Sequence, residues 1–469
     1  MIAMTLAEIA AAMRGDLVLG DFDAQSVVAR DSQTDSREVL PGQLFFARRG
    51  EQTDGHRYVD QAIDRGAALL VVERELQLTS DTPQIVVEDA TIALGRLAAE
   101  SIRRALAAGH LRIVGITGSN GKTTTKNLVA AMAERLGPTV ASLKSFNNEV
   151  GGPHTMLRVT ADTRTLVAEM GASAEGEIAN LAAMAPPHIG VVLSVGLAHA
   201  GEFGGIDATF RAKSEMVRAL GEGAVAVLNR DDPRVAQMAE LTAARVRWFG
   251  LHPEADVRAS DIEPTAEGTS FVLHAEGASV PVEFRVVGDH HVMNALAAAA
   301  VGLELGLPLS EIVAVLEATT VAAPGRMEML GGRDEITIIN DAYNASPDSM
   351  SAALRTLAQI ARPGARTVAV LGAMSELGEF SGEEHDRIGL QIVRLGISEL
   401  VVVGDAARRL HISAINEGSW DGESVFFAEQ DEAFAYLTET LRPGDTVLVK
   451  SSNAAGLQAL GDRLGEAYA

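Results

Sequence analysis

Lys122, Thr123 and Thr124 follow three glycines in the run RIVGITGSNGKTTTKNLV, residues 112 to 129. The apolar residues Ile113, Val114 and Ile116 predict a short strand, and a helix-like run follows the turn Gly118-Ser119-Asn120-Gly121. A strand, a glycine-rich turn and a helix N-terminus make a cradle in which backbone N–H groups and the helix dipole face an anion. Lys122 would bring a point charge to the β- and γ-phosphates, and Thr123 an oxygen to Mg²⁺. Gly115 stands one place earlier than the strict G-x-x-x-x-G-K-[ST] spacing requires. A turn whose glycines only permit tight backbone is the competing reading, but the lysine, the paired threonines and the flanks favour nucleoside triphosphate binding.

Three further residues bear on that chemistry. Mg²⁺ takes few protein ligands and completes its shell with water and phosphate oxygens. Glu169, at the end of an apolar run, suits that role, although a solvated loop carboxylate would look the same in sequence. His199 lies in the glycine-rich SVGLAHAGEFGG and could ligate or orient, or be structural. Lys213, in FRAKSEMV, would be repelled by a nearby cation and is ordinarily a solvated helix lysine. It could join a metal site only if its charge were inverted, for instance by CO₂ adding to the neutral amine as a carbamate.

The elements that must position these groups alternate. Strand-like runs at Thr165–Ala168, Ile189–Val195 and Ala224–Leu228 are separated by helical stretches, which implies a parallel sheet covered on both faces. In such sheets ligands bind at the carboxyl ends of strands. Residues 1 to 88 mix short strands with a helix near 58–65 and contain Asp35-Ser36-Arg37, a turn that could hold a phosphate or a base, or be an ordinary Asx-turn. Residues 256–287 read as a β-ribbon insertion, and 292–305 as a small-residue helix. From Arg326 evenly spaced βα units predict a Rossmann-like domain without a G-x-G-x-x-G fingerprint. The expected fold is α/β with three domains: 1–88, a central P-loop parallel-sheet ATPase domain over 89–325, and 326–469.

The 469 residues carry a net charge of −24 and no cysteine. The acidic balance argues against nucleic acid as a partner, and disulfides and thiolate metal sites are excluded. No signal peptide or membrane span is expected, so the reading is a cytoplasmic monomer. The polar turns Asn340-Asp-Ala-Tyr-Asn-Ala-Ser-Pro347 and Lys450-Ser-Ser-Asn453 follow strands of the last domain. Two α/β domains presenting such loops across a cleft suit a two-substrate reaction that closes on ATP.

These pieces carry a resemblance. DSREVLPGQLFFA, GITGSNGKTTTK, SFNNEVGGP, EMGAS, HAGEFGG, RAKSE, NALAAAAVG, PGRME, NDAYNASPDSM and MSELGEFSGEEH occur in this order, and the chain resembles the ATP-dependent Mur ligases of bacterial cell-wall synthesis over essentially its full length. The resemblance implies that the three domains bind a UDP-sugar peptide, ATP and the incoming amino component. It points to the branch that joins D-alanyl-D-alanine to UDP-N-acetylmuramoyl-tripeptide. It further implies that Gly118 to Thr124 hold the phosphates, that Thr123 and Glu169 hold a first Mg²⁺, and that His199 and a carbamylated Lys213 serve a second. Asn294 would reach the adenine, Arg326 the γ-phosphate and Asp341 the ribose. Asn147 and Asn148 match a segment close to the nucleotide, Ser36 and Arg37 the uridine-nucleotide motif, and Tyr343, Asn344, Lys450 and Ser452 the surroundings of the dipeptide.

Departures from the family pattern fall in or near the last cleft. Asn453 replaces an arginine of K-G-S-R, Ala373 the aspartate of G-D-M, and Asn340 and Ser346 stand in the D-D-x-Y-N-A-N-P segment. The ligase that adds the diamino residue carries D-N-P-R in its last domain. Here Asp231-Asp232-Pro233-Arg234 lies in the middle domain, which favours the dipeptide-adding branch. A folate polyglutamylating ligase, and a nucleotide-driven switch that forms no amide, are the other readings.

Overall fold

The computed structural model of the chain describes residues 1–50, 53–143, 145–197, 201, 204–320, 324–362, 364–417 and 420–469. The phosphate-loop strand Arg112–Thr117 lies inside a nine-stranded sheet, between Ile189–Val192 and Thr165–Glu169, and is parallel to both. Successive side chains of a strand face opposite ways, so Ile113 enters one apolar core while Val114 and Ile116 enter another. That is why the strand reads as a continuous apolar run rather than an alternation: both faces are covered.

Helices Lys122–Glu134 and Asp289–Leu305 cover one face. Gly151–Leu157, Glu177–Met184 and Ile206–Arg218 cover the other. The second helix of the first pair is rich in alanine, and its buried Ala295, Ala297 to Ala300 and Gly302 let it lie close against Lys122–Glu134. Residues 257–284 form three antiparallel strands, but they are not a detached ribbon. Val257 pairs in parallel with Phe249, so the ribbon extends the central sheet at its edge.

The first five-stranded sheet runs in the order Asp16–Val18, Gln84–Val86, Leu69–Val72, Leu44–Phe46, Ser32–Gln33. Helix Ala90–Ala107 joins it to the central sheet, because its buried Leu94, Leu97 and Ile102 belong to a single core containing Phe46, Val71 and Ile113. The last sheet has six strands, in the order Glu328–Gly331, Thr337–Asn340, Thr446–Lys450, Thr367–Leu371, Glu399–Val403, Glu423–Phe427. All neighbours are parallel except the first pair. Among the described residues no helix is long and apolar enough to cross a membrane.

Asp231 and Asp232 are explained by local structure. Asp232 caps helix Pro233–Gln237 through the N–H groups of Arg234 and Val235, and Asp231 accepts from the N–H groups of Leu251 and His252. Helix Ala90–Ala107 is capped in the same way by Asp89, which accepts from Thr91 and Ile92 at 2.7 and 2.8 Å. Asp89→Ala removes both acceptors and should weaken this first turn by about 1 kcal/mol. The measurable outcome is an approximately fivefold faster amide exchange at Thr91 and Ile92, with the sheet amides unchanged.

Candidate active site

The turn after Arg112–Thr117 is held open by two glycines. Gly118 (φ +148°) and Gly121 (φ +82°) adopt conformations that side-chain-bearing residues rarely enter. A Cβ on Gly118 would lie 2.8 Å from Leu193 Cβ, and one on Gly121 2.2 Å from Asn294 Oδ1. Ser119 fixes the turn to the next strand end: its N–H donates to Ser194 O, and its Oγ accepts from Gly196 N–H at 2.8 Å. Lys122 opens the helix and folds its Nζ back onto Gly118 O, 2.7 Å away. Burial holds its amine below the ordinary lysine value, opposed by the charge of Glu169.

Strand register brings the acid to the loop. Glu169 pairs with Ile116, one residue short of Thr117 where the strand ends. Its carboxylate is buried, accepts from Thr123 Oγ1 at 3.1 Å and from Asn147 Nδ2 at 2.9 Å, and lies near the cations Lys122 and Lys126. Thr123 Oγ1 also meets Ser145 Oγ (3.2 Å) and the Arg326 guanidinium (3.3 Å). Arg326 lies over the ring of Tyr343, 4.5 Å from its centroid, and the Tyr343 hydroxyl donates to Ser145.

These groups line a cavity of about 620 Å³ shared by the central and last sheets. Ser119, Asn120, Gly121, Thr124, Asn294, Asp341, Asn344, Lys450 and Asn453 line it too. Across it, the Ser346 hydroxyl donates to Asn120 Oδ1 at 2.9 Å. The fit to a divalent cation rests on its donors: a buried carboxylate and a hydroxyl, both hard oxygens, beside a phosphate-shaped turn. Among the described residues no three His, Asp or Glu cluster as a metal cage.

Comparison with known proteins finds the same three parts. Residues 32–107 match the family model "Mur ligase family, catalytic domain", 116–302 "Mur ligase middle domain", and 325–453 "Mur ligase, glutamate ligase domain". A UDP-N-acetylmuramoyl-tripeptide--D-alanyl-D-alanine ligase of Mycobacterium tuberculosis is 43% identical, over 99% of this chain and 98% of the relative. The chain belongs to the Mur ligase family.

Solved structures of this family agree in fold. MurF from Acinetobacter baumannii superposes with a TM-score of 0.88 at 32% identity, covering 99% of each chain. The MurF ligase from Thermotoga maritima in complex with ADP gives 0.81 at 27% identity, over 94% of this chain and 98% of that one.

Not every residue singled out from the sequence lines the cavity. Lys213 is absent from the lining and is buried, 2% exposed; burial first, then the charge of Lys122, pushes its amine down to about 7. Asn148 is exposed and caps helix Gly151–Leu157 through Val150 and Gly151, whereas Asn147 reaches Glu169. Ser36 donates to Gln61 and Arg37 pairs with Asp35 in the turn after strand Ser32–Gln33, apart from the cavity lining. Ser452 meets Ser375 at 2.7 Å. His199 lies outside the described residues.

Cavity residues to which the motifs gave no role in the site include Ser145, Asp232 and the pair His290 and His291, although Ser145 opens the SFNNEVGGP segment. The spacing of His291 three residues before Asn294, one helical turn, is the signal that could have found it.

Lys450 and Asp341 form a buried ion pair at 2.6 Å, and Lys450 Nζ also donates to Asn344 O at 3.0 Å. Removing one partner leaves the other buried and uncompensated, which costs about 3–5 kcal/mol. Lys450→Met should therefore lower stability in urea denaturation by that order. Lys450→Met combined with Asp341→Asn should lose distinctly less; equal losses would show that the pair is not coupled.

Proposed function

We propose that the chain joins D-alanyl-D-alanine to UDP-N-acetylmuramoyl-tripeptide, driven by ATP and giving ADP and phosphate. The observation that carries this reading is the meeting of Glu169, Ser145 and Arg326 on Thr123 Oγ1. It places the phosphate turn and the arginine of the last domain around one point. The full-length similarity to a ligase of that name supports the choice of substrates.

A carboxylate resists an amine because its charge repels the nucleophile and its oxygen does not leave. Transfer of the γ-phosphoryl group to that carboxylate gives an acyl phosphate, which the amine of the dipeptide opens through a tetrahedral intermediate. In this reading Gly118 to Thr124 seat the triphosphate, and Lys122 exchanges its carbonyl partner for the β- and γ-phosphate oxygens. Arg326 approaches the γ-phosphate from the opposite side, so charge on the transferring group meets cations already in place. Asp341 would face the ribose and Asn294 the base.

Thr123 and Glu169 would hold one Mg²⁺, which would offset the negative charge of the phosphates. His199 and a carbamylated Lys213 would hold a second. Carbamate formation joins Lys213 Nζ to the carbon of CO₂ with loss of one proton, so it needs the neutral amine that burial favours.

Residues 1–88, with Ser36 and Arg37, are proposed to bind the UDP-sugar, 89–325 ATP, and 326–469 the amino substrate with Tyr343, Asn344, Lys450 and Ser452 around the dipeptide. Asn147 and Asn148 would lie between nucleotide and acceptor. The contacts of Ser346 with Asn120 and of Tyr343 with Ser145 are what closure of the last domain would use to keep water from the acyl phosphate.

¹⁸O placed in the terminal carboxylate of the tripeptide should appear in phosphate only when D-alanyl-D-alanine is present. Phosphate release without that transfer would identify a switch rather than a ligase. Lys122→Ala should lower kcat by about 10²-fold or more, and near-normal turnover would remove the phosphate-cradle assignment. With the Lys213 amine at about 7, its neutral fraction rises as pH rises from 6 to 8. Activity and ¹³CO₂ incorporation at Lys213 should rise together over that window. Lys213→Ala should be nearly inactive and partly rescued by short carboxylates; full activity with an unmodified Lys213 would refute the carbamate.

A further inference from the structure

Two buried ring nitrogens on the cavity wall, His290 Nδ1 and His291 Nε2, have no hydrogen-bond partner among the described residues. His291, on the first turn of Asp289–Leu305, is 4% exposed and lines the cavity. Its Nδ1 lies 3.3 Å from Asn294 Nδ2, and Asn294 Oδ1 faces the Thr125 hydroxyl at 3.4 Å. With the amide oxygen turned to Thr125, its NH₂ donates to His291 Nδ1. Nδ1 is then the acceptor and the ring proton sits on Nε2. His291 Nε2 is buried and has no hydrogen-bond partner among the described residues.

A buried N–H without an acceptor is costly and is uncommon in folded chains. Burial, with His290, Arg326 and Lys450 nearby, keeps the ring neutral. A neutral donor is poorly matched to phosphate, whose cationic partners Lys122 and Arg326 stand around Thr123 instead. Leu193, Phe249 and Met293 line the same cavity with Asn294. Flat apolar walls with a neutral donor suit an aromatic base, whose ring nitrogens are neutral acceptors.

We infer that His291 is a base-reading residue, donating from Nε2 to a ring nitrogen of the purine while Asn294 fixes its tautomer. This rests on the reading that the cavity takes ATP. It adds a specificity residue beside Asn294, and it predicts that the base is recognised through an acceptor and not only through its exocyclic amine.

The test measures binding of ATP and its 1-deaza, 3-deaza and 7-deaza analogues, with magnesium, to the full chain by calorimetry. In the wild type one analogue should bind about five- to tenfold more weakly than ATP, the scale of one neutral hydrogen bond. His291→Leu should bind ATP more weakly by the same factor and be indifferent to that analogue. Its KM for ATP should rise while kcat stays within about twofold. His291→Gln, whose side-chain NH₂ reaches toward the Nε2 position, should restore the discrimination, and serves as the second variant if His291→Leu fails to fold.

Equal binding of all three analogues to the wild type would overturn the inference, as would a deaza penalty that persists unchanged in His291→Leu or one that His291→Gln fails to restore. Failure of the parent reading looks different: ATP itself would not bind the wild type, or would bind Lys122→Ala equally well.

Discussion

Four segments of the chain meet at a single hydroxyl. Thr123 Oγ1 can donate one hydrogen bond and accept two, and its three neighbours are the Glu169 carboxylate, Ser145 Oγ and Arg326. The carboxylate must be the acceptor and the guanidinium a donor, which leaves Ser145 to donate while it accepts from Tyr343. The local network therefore has one consistent direction, from the last domain through Ser145 and Thr123 to Glu169. Loosening any of these segments leaves a buried polar group unpaired, and that constraint ties loop, strand end and last domain into one site.

The site is also a problem in charge. A chain with net charge −24 must offer a triphosphate a local excess of cations. Around the glycine-rich turn it holds Lys122 and Lys126 near one carboxylate, with the Arg326 guanidinium on Thr123. Three lysines here are held by oxygen: Lys122 by Gly118 O, Lys126 by Ser142 O, and Lys450 by Asp341 and Asn344. Carbonyl partners are neutral, so an arriving phosphate can replace the partner of Lys122 without separating an ion pair. Lys450 is tied to a carboxylate, so giving it up to a ligand would be costlier. Lys213 sits behind Lys122, and their mutual repulsion adds to burial in disfavouring its charged form.

The last domain reaches the phosphate turn through short polar groups. The Ser346 hydroxyl meets Asn120, Tyr343 meets Ser145, and Gly201 N–H donates to Glu376 O at 2.9 Å. Individually such contacts between neutral groups are worth about 1 kcal/mol. Two of the positions that depart from the family pattern, Ser346 and Asn453, lie here. Ser346 both caps helix Pro347–Ile360 and makes the bond to Asn120, and Asn453 lines the cavity. Asn340 is buried and holds Asp462 and Gln458 O, so its place is in the domain's own packing.

The sequence by itself determined the α/β class, the strands and helices around the phosphate turn, and the family. These are legible because they are local: the period of apolar residues, the glycines of a turn and the capping aspartates act within a few residues. It marked Glu169 and Asn294 only as candidates, and it gave no sign of how Lys126, Ser145 and His291 are placed. The tertiary structure decided which strand lay beside which, and so that Glu169 pairs with Ile116 and comes within reach of Thr123. It turned the expected ribbon into an extension of the sheet and paired Lys450 with Asp341. The reason is physical: contacts such as Asn147–Glu169, 22 residues apart, and Ser346–Asn120, 226 apart, depend on strand order and helix packing, and no short window of sequence contains both partners.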